Sequence, residues 1–223
     1  IDLGLEEKIL GRTKFCIHPE EKVKRIPAIG GVMGLQYHKI EEIQPDIIFA
    51  SKEENAKKEI LDIDKQFPVW VSDVHNLTEA IGMIHSIGEI CDKKDKAKEL
   101  TQKTETAFEE LSDIPEGVIR GVYLIWKNPF YTINSNTFIH DMLRRCGVEN
   151  LFAGKEKEYP IVKEKEIKDM NPDYIFLPSE PYNFKDSDVE EISKKFPNSE
   201  IRRVDGEFFS WYGSHLINAP SYF

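Results

Sequence analysis

Apolar residues recur along this chain with two different periods. Short continuous runs such as Ile47-Ile48-Phe49-Ala50, Val69-Trp70-Val71 and Tyr174-Ile175-Phe176-Leu177 suit strands covered on both faces, the pattern of a parallel sheet inside helices. Between them, apolar positions three and four apart predict helices. The longest helical stretch runs from Asn76 to Asp113. Asn76 with Glu79 three residues on forms a capping-box-like start, and Leu77, Ala80, Ile81, Ile84, Ile87 and Cys91 then share one face. From Asp92 the pattern narrows to a stripe of Ala97, Leu100, Thr104, Ala107, Phe108 and Leu111, before Pro115 and Gly117 stop it. At 1.5 Å per residue, a helix of about twenty residues reaches ~30 Å, enough to act as a strut across a small domain.

The flanks of this strut are alike. Before it stands Ile40-Glu41-Glu42-Ile43-Gln44-Pro45-Asp46-Ile47-Ile48-Phe49-Ala50-Ser51; after it stands Ile167-Lys168-Asp169-Met170-Asn171-Pro172-Asp173-Tyr174-Ile175-Phe176-Leu177-Pro178. Each reads as helix, Pro-Asp turn, strand, because proline ends a helix and biases the preceding residue away from helical angles. Gly4-Leu5-Glu6 matches Gly147-Val148-Glu149, and Phe67-Pro68 matches Phe196-Pro197, in the same order. Two α/β lobes of common plan follow. Lys14-Phe15-Cys16-Ile17 reads as a strand, Tyr37 to Ile43 as a helix, and Glu53-Glu54-Asn55 as the acidic start of a helix through Leu61. In the second half a strand, Val118 to Trp126, and a helix, Asn136 to Cys146, precede Gly147. Only three residues precede Gly4, so the first lobe is expected to lack its leading strand. The division expected is 1–75, an incomplete N-terminal lobe; 76–114, the helical segment; and 115–223, the C-terminal lobe.

A 40% hydrophobic and 31% charged composition is that of a globular protein. The net charge of −10 disfavours nucleic acid and anionic membrane surfaces. No uninterrupted apolar stretch approaches the roughly twenty residues of a membrane span. Cys16, Cys91 and Cys146 have no metal-type spacing. The six histidines, His18, His38, His75, His85, His140 and His215, form no His-x-His or His-Glu-x-x-His pair, and His85 and His140 fall within helices. Ile29-Gly30-Gly31-Val32-Met33-Gly34 lacks the Lys and Ser/Thr of a phosphate loop and reads as a turn. Ser210 and Ser214 lack a nucleophile elbow, so no catalytic residue is assigned.

Aromatic residues instead gather at predicted strand ends. Trp126 and Tyr131 follow one strand, Tyr159 precedes a helix, and Trp211 and Tyr212 follow the last strand beside Glu207. Flat faces with a polar tip suit stacking on a large planar or chelated ligand, whereas Phe208 and Phe209 read as core. Arg144-Arg145 and Arg202-Arg203 fall on a helix and a strand, which leaves Arg12 as the candidate clamp for an anionic group.

The order of Gly30-Gly31, Pro45-Asp46-Ile47-Ile48, Lys52-Glu53-Glu54-Asn55, Asn128-Pro129, Cys146-Gly147-Val148-Glu149-Asn150, Tyr159-Pro160 and Asn171-Pro172-Asp173 resembles the helical-backbone substrate-binding proteins of ABC importers. These carry cobalamin, haem or ferric siderophores, and the resemblance is strongest to the cobalamin-binding members. It implies an α/β fold of two Rossmann-like lobes with mostly parallel sheets joined by one long backbone helix, with a metal chelate or corrinoid held between the lobes. It also implies a monomer outside the cytoplasm, often a lipoprotein, with no permanent cofactor and no metal of its own, docking on a permease. The family's aromatic positions fall on Trp126 and Tyr159 and its cleft acid near Glu207, but Ser51 stands where the cobalamin binder has an aromatic. Its permease-docking glutamates align with Lys57 and Lys165, and the neighbouring Glu54 and Glu166 are the acids expected to serve. The rival readings are a direct divalent-metal receptor using histidines and an α/β enzyme.

Overall fold

The two stretches of like sequence fold alike, in surroundings that differ. The computed structural model describes residues 1–109, 111, 114–115 and 117–223. The chain divides into two compact units, one of residues 1–73 with 90–96 and one of 74–89 with 97–223.

The first unit runs through a 3-10 turn at Glu6–Lys8, α1 (Glu20–Val23), α2 (Tyr37–Ile43), β1 (Ile48–Ser51), α3 (Lys57–Ile63) and β2 (Val69–Ser72). Helix α2 ends at Gln44, whose φ of +43° is left-handed, and Pro45 prevents continuation. Strands β1 and β2 pair in parallel, from Ile48 opposite Val69 to Ser51 opposite Ser72. Three expectations need correction. Lys14-Phe15-Cys16-Ile17 is not a strand: the Cys16 amide closes a turn onto Thr13 O at 3.2 Å, so the backbone is satisfied locally. Helix α3 starts after the acids, because Asn55 accepts from the Ser51 amide at 2.9 Å and donates its own amide to Ser51 O at 3.0 Å, leaving Glu53 and Glu54 in a turn. Nor is β1 covered on both faces. Among the described residues β1 and β2 pair only with each other, and Phe49 and Val71 stay 41% and 43% exposed.

The helical stretch divides at Asp92, whose left-handed φ of +53° separates α4 (Leu77–Ile90) from α5 (Lys94–Glu109). The strut is therefore a 16-residue helix of ~24 Å preceded by a separate 14-residue one. Its expected end, Asp113, lies outside the described residues. Asn76 caps α4 as predicted, accepting from the Glu79 amide at 3.0 Å. A second cap comes from far along the chain: buried Asp141 accepts from the Leu77 amide at 2.9 Å. Helix α5 buries Ala97, Thr104 and Phe108 as expected, with Thr101 beside them bonded to His85 at 3.2 Å.

The second unit continues with β3 (Ile119–Tyr123), β4 (Phe130–Tyr131), α6 (Phe138–Arg145), β5 (Val148–Asn150), β6 (Ile161–Val162), α7 (Glu164–Met170), β7 (Tyr174–Pro178), α8 (Asp186–Lys195), β8 (Glu200–Val204), α9 (Glu207–Ser210), a 3-10 turn at Ser214–Asn218 and α10 (Ala219–Tyr222). Helix α7 ends as α2 does, with Asn171 at φ +46° before Pro172. Gly147 matches Gly4: both have left-handed φ, +79° and +73°, and both donate to the carbonyl three residues back. Four parallel strands lie in the order β5-β3-β7-β8. Alternate side chains supply two cores. Ile119, Tyr123, Val148, Phe176 and Val204 meet α6 and α9 on one face; Val122, Leu124, Ile175, Leu177 and Ile201 meet α7 and α8 on the other. From β3 the chain passes outward to β5, then back across β3 to β7. The connections thus diverge at β3, the switch point at whose C-terminal side open α/β sheets bind ligands.

Candidate ligand-binding site

At that end of the sheet, β3 runs into a tight hairpin. Ile125 donates to Tyr131 O at 2.9 Å, Tyr131 donates back to Trp126 O at 3.2 Å, and Asn128 turns the chain with φ +58°. The hairpin is fastened by Lys127, whose ammonium lies 2.5 Å from Asp188 and 2.8 Å from Glu191 on α8, with 13% of its side chain exposed. Hydrogen bonds to these two acids hold Lys127 well above the usual lysine range, and the bond from Lys127 helps bring Glu191 down to about 2. A clamped backbone leaves Trp126 43% exposed, with its ring edge-to-face against Tyr182, centroids 5.0 Å apart. Tyr182 rests on fully buried Phe184 at 4.7 Å, so the ring is supported from the core outward. Tyr131 is half-buried in β4.

Tyr182 belongs to the loop after β7, and the same loop holds the second tryptophan. Glu180 Oε1 accepts from Trp211 Nε1 and from Ser210 Oγ, each at 2.6 Å. The approach requires Gly206, where a Cβ would stand 2.8 Å from Glu180 Cγ and 3.1 Å from its backbone N and O. Ser179 bridges the ends of β7 and β8: it accepts from the Gly206 amide at 2.9 Å and donates to Asp205 at 3.3 Å. Asp205 in turn accepts from the amide of Glu207, the first residue of α9.

Tyr159 and Tyr212 are half-buried and pack on the cluster around Phe138, with Tyr212 edge-on to that ring at 5.3 Å. Phe209 is core, as expected, whereas Phe208 is half-buried between His215 and Tyr222, with centroids at 4.7 and 4.4 Å. Among the described residues His215 Nε2 is buried without a hydrogen-bond partner. His140 is half-buried on α6, and burial lowers its pKa. Cys146 is a free thiol that burial pushes up to about 12. Among the described residues no group of three or more His, Cys, Asp or Glu could hold a metal ion.

In the first unit, Arg12 directs its guanidinium to Val23 O at 2.7 Å and Thr13 O at 3.1 Å, fixing the local backbone. Ser51 ends β1, and Glu54 is exposed in the turn that follows. In the second unit, Glu166 pairs with Lys155 at 2.8 Å and caps α7 through the Lys163 amide at 2.8 Å. The hydrogen bond from Lys155, then that amide, lowers its pKa. Thus Trp126 and Trp211 meet a common loop through Tyr182 and Glu180. Neither loop residue was singled out from sequence. Tyr182 had a signal, an aromatic just past a strand end, whereas Glu180 is defined by a partner thirty-one residues away.

A family profile described as "Periplasmic binding protein" matches residues 1–201. The "Vitamin B12-binding protein" of Vibrio parahaemolyticus serotype O3:K6 is 25% identical over 178 residues, covering 78% of this chain and 64% of that protein. The chain thus spans less than two thirds of that relative's length. Among solved structures, a "possible" iron-binding (periplasmic solute-binding) protein of Staphylococcus epidermidis ATCC 12228 superposes with a TM-score of 0.81 at 24% identity, covering 98% of this chain and 90% of the other. The apo form of the periplasmic haem-binding protein RhuT of Roseiflexus sp. RS-1 gives 0.82 at 16% identity, covering 99% and 89%. At such identities the likeness establishes a shared α/β fold with parallel sheets.

Proposed function

The chain belongs to the periplasmic binding protein family, and from that premise we propose that it is the extracytoplasmic substrate-binding component of an ABC importer. It captures a metal chelate or corrinoid, of the cobalamin, haem or ferric-siderophore class, and delivers it to the permease. Its work is binding rather than catalysis. The observation that carries this reading is the pair of supported tryptophans: Trp126, just past the switch-point strand β3 and backed by Tyr182, and Trp211, just past α9 and held by Glu180 of the loop after β7. Rings held in place before a ligand arrives lose little freedom on binding and offer flat apolar faces to a flat ligand. Tyr131, Tyr159, Tyr212 and Glu207 complete this contribution of the second unit. The exposed Glu54 and the part-exposed Glu166 belong to the same reading as acids facing a basic permease surface, Glu166 exchanging its bond to Lys155 for one across the interface.

Native mass spectrometry against cyanocobalamin, haem, ferric hydroxamate and ferric catecholate chelates, and free divalent cations tests the proposal. A one-to-one complex with a chelate or corrinoid is expected. Binding of a free cation alone would favour the direct metal receptor. Trp126→Ala is expected to cost about 2 kcal/mol of ligand affinity, read by titration calorimetry, with little loss of melting temperature because the ring is half outside the core.

A further inference from the structure

Trp211 has an unusual mooring for a ring offered to a ligand. Its indole N–H and the Ser210 hydroxyl both donate to one oxygen of one carboxylate, Glu180 Oε1, at 2.6 Å. A hydrogen bond to a charged acceptor is directional and stronger than one to a neutral acceptor. The single Ser210 hydroxyl proton also has Gly206 O within reach at 2.9 Å, so it is shared between that carbonyl and the carboxylate and ties Glu180 to the first turn of α9. Gly206 has no room for a side chain on the Glu180 side, so the two loops are held at a fixed separation. Glu180 is therefore built into the frame, and the ring hangs from it.

We propose that Glu180 is a positioning and selectivity residue for the ligand site, resting on the binding function inferred above. It sets the plane of the Trp211 ring, and it places a negative charge at that ring's edge. A ligand stacking there presents neutral amide or hydroxyl groups, as a corrinoid edge does, because a carboxylate such as a haem propionate would meet a like charge.

Two measurements test the two halves. The first needs no ligand. In a chain carrying Trp70→Phe and Trp126→Phe, Trp211 is the remaining tryptophan, and acrylamide quenching reports its freedom. Glu180→Ala is expected to raise the quenching constant about twofold or more, and Glu180→Gln, which keeps an acceptor oxygen, to restore it. Equal quenching in all three chains overturns the positioning role. So does failure of Gln to rescue while the fold, followed by far-UV circular dichroism, is intact.

The second measurement uses the otherwise native sequence with cyanocobalamin and haem as probes. Glu180→Ala should weaken cyanocobalamin about tenfold. Glu180→Gln should leave cyanocobalamin near native affinity and shift the haem-to-cyanocobalamin ratio several-fold toward haem. An unchanged ratio overturns the selectivity half. If neither probe binds the native protein, the selectivity half falls, the ferric-chelate arms of the mass spectrometry decide the function it rests on, and the quenching result still decides the positioning role.

Discussion

The two units carry the same helix, left-handed residue, Pro-Asp and parallel strand, yet their sheets differ in what they bury. In the second unit Ile175 and Leu177 of β7 are fully buried under α7 and α8, whereas Phe49 of β1 is 41% exposed. Nothing in the two strands' own residues predicts this, since Ile-Ile-Phe-Ala is as apolar as Tyr-Ile-Phe-Leu. The difference comes from neighbours: β7 lies between β3 and β8, while β1 pairs with β2 alone among the described residues. A strand's sequence fixes what it can bury; the elements beside it decide what it does bury.

The contrast is broken most directly by truncation. Ile175→Ala is expected to cost about 3–4 kcal/mol, because its surroundings can collapse only in part. Phe49→Ala, at a ring already wet, should cost about 1 kcal/mol. Urea unfolding, with hydrogen exchange to assign each loss to its unit, measures both; equal costs would end the contrast.

Ion pairs sharpen it next. Lys127→Met strands Asp188, whose side chain is 8% exposed, and should cost about 2–3 kcal/mol. Removing Lys52 from its pair with Asp73, both well exposed, should cost less than about 1 kcal/mol. The same network gives the second unit an acid sensitivity. Glu191 is depressed from 4.5 to about 2 and Asp188 is lowered too, by hydrogen bonds from Lys127 first. A depressed carboxyl contributes stability above its unfolded pKa and loses it as pH falls through its folded pKa. Stability should therefore decline from about pH 4.5 toward 2, and Lys127→Met should flatten that decline in thermal melts.

The matched glycines give the smallest difference between the units. Alanine at either position meets the left-handed penalty of about 1–2 kcal/mol. At Gly147 a Cβ would also stand 3.1 Å from Pro115 O, a backbone atom, whereas at Gly4 it meets the mobile end of Lys96. Gly147→Ala should therefore lower the melting temperature by a few degrees more than Gly4→Ala.

What could be read from sequence is what local chemistry decides. The Pro-Asp turns were legible because proline cannot continue a helix past its first turn, and Trp126 was legible as a strand-end aromatic because a turn follows that apolar run. Lys14 to Ile17 misled, because the apolar run Phe15-Cys16-Ile17 accompanies a backbone that closes on Thr13 instead of a neighbouring strand. Glu180, Lys127 and Asp141 could not be read at all. Each is defined by a partner between thirty-one and sixty-four residues distant, and no pattern along the chain marks such a meeting.

Asp141 carries one more consequence. Burial pushes its carboxyl up, but the Leu77 amide, Arg145 and Arg144 outweigh that and keep it below the usual range. It thereby joins the first turn of α4 to the last turn of α6. Helix ends ordinarily fray and exchange their amide hydrogens early. Here the leading amide of α4 can exchange only when the Asp141 carboxylate lets go, so the protection of one helix's first turn is set by a side chain of another helix far along the chain.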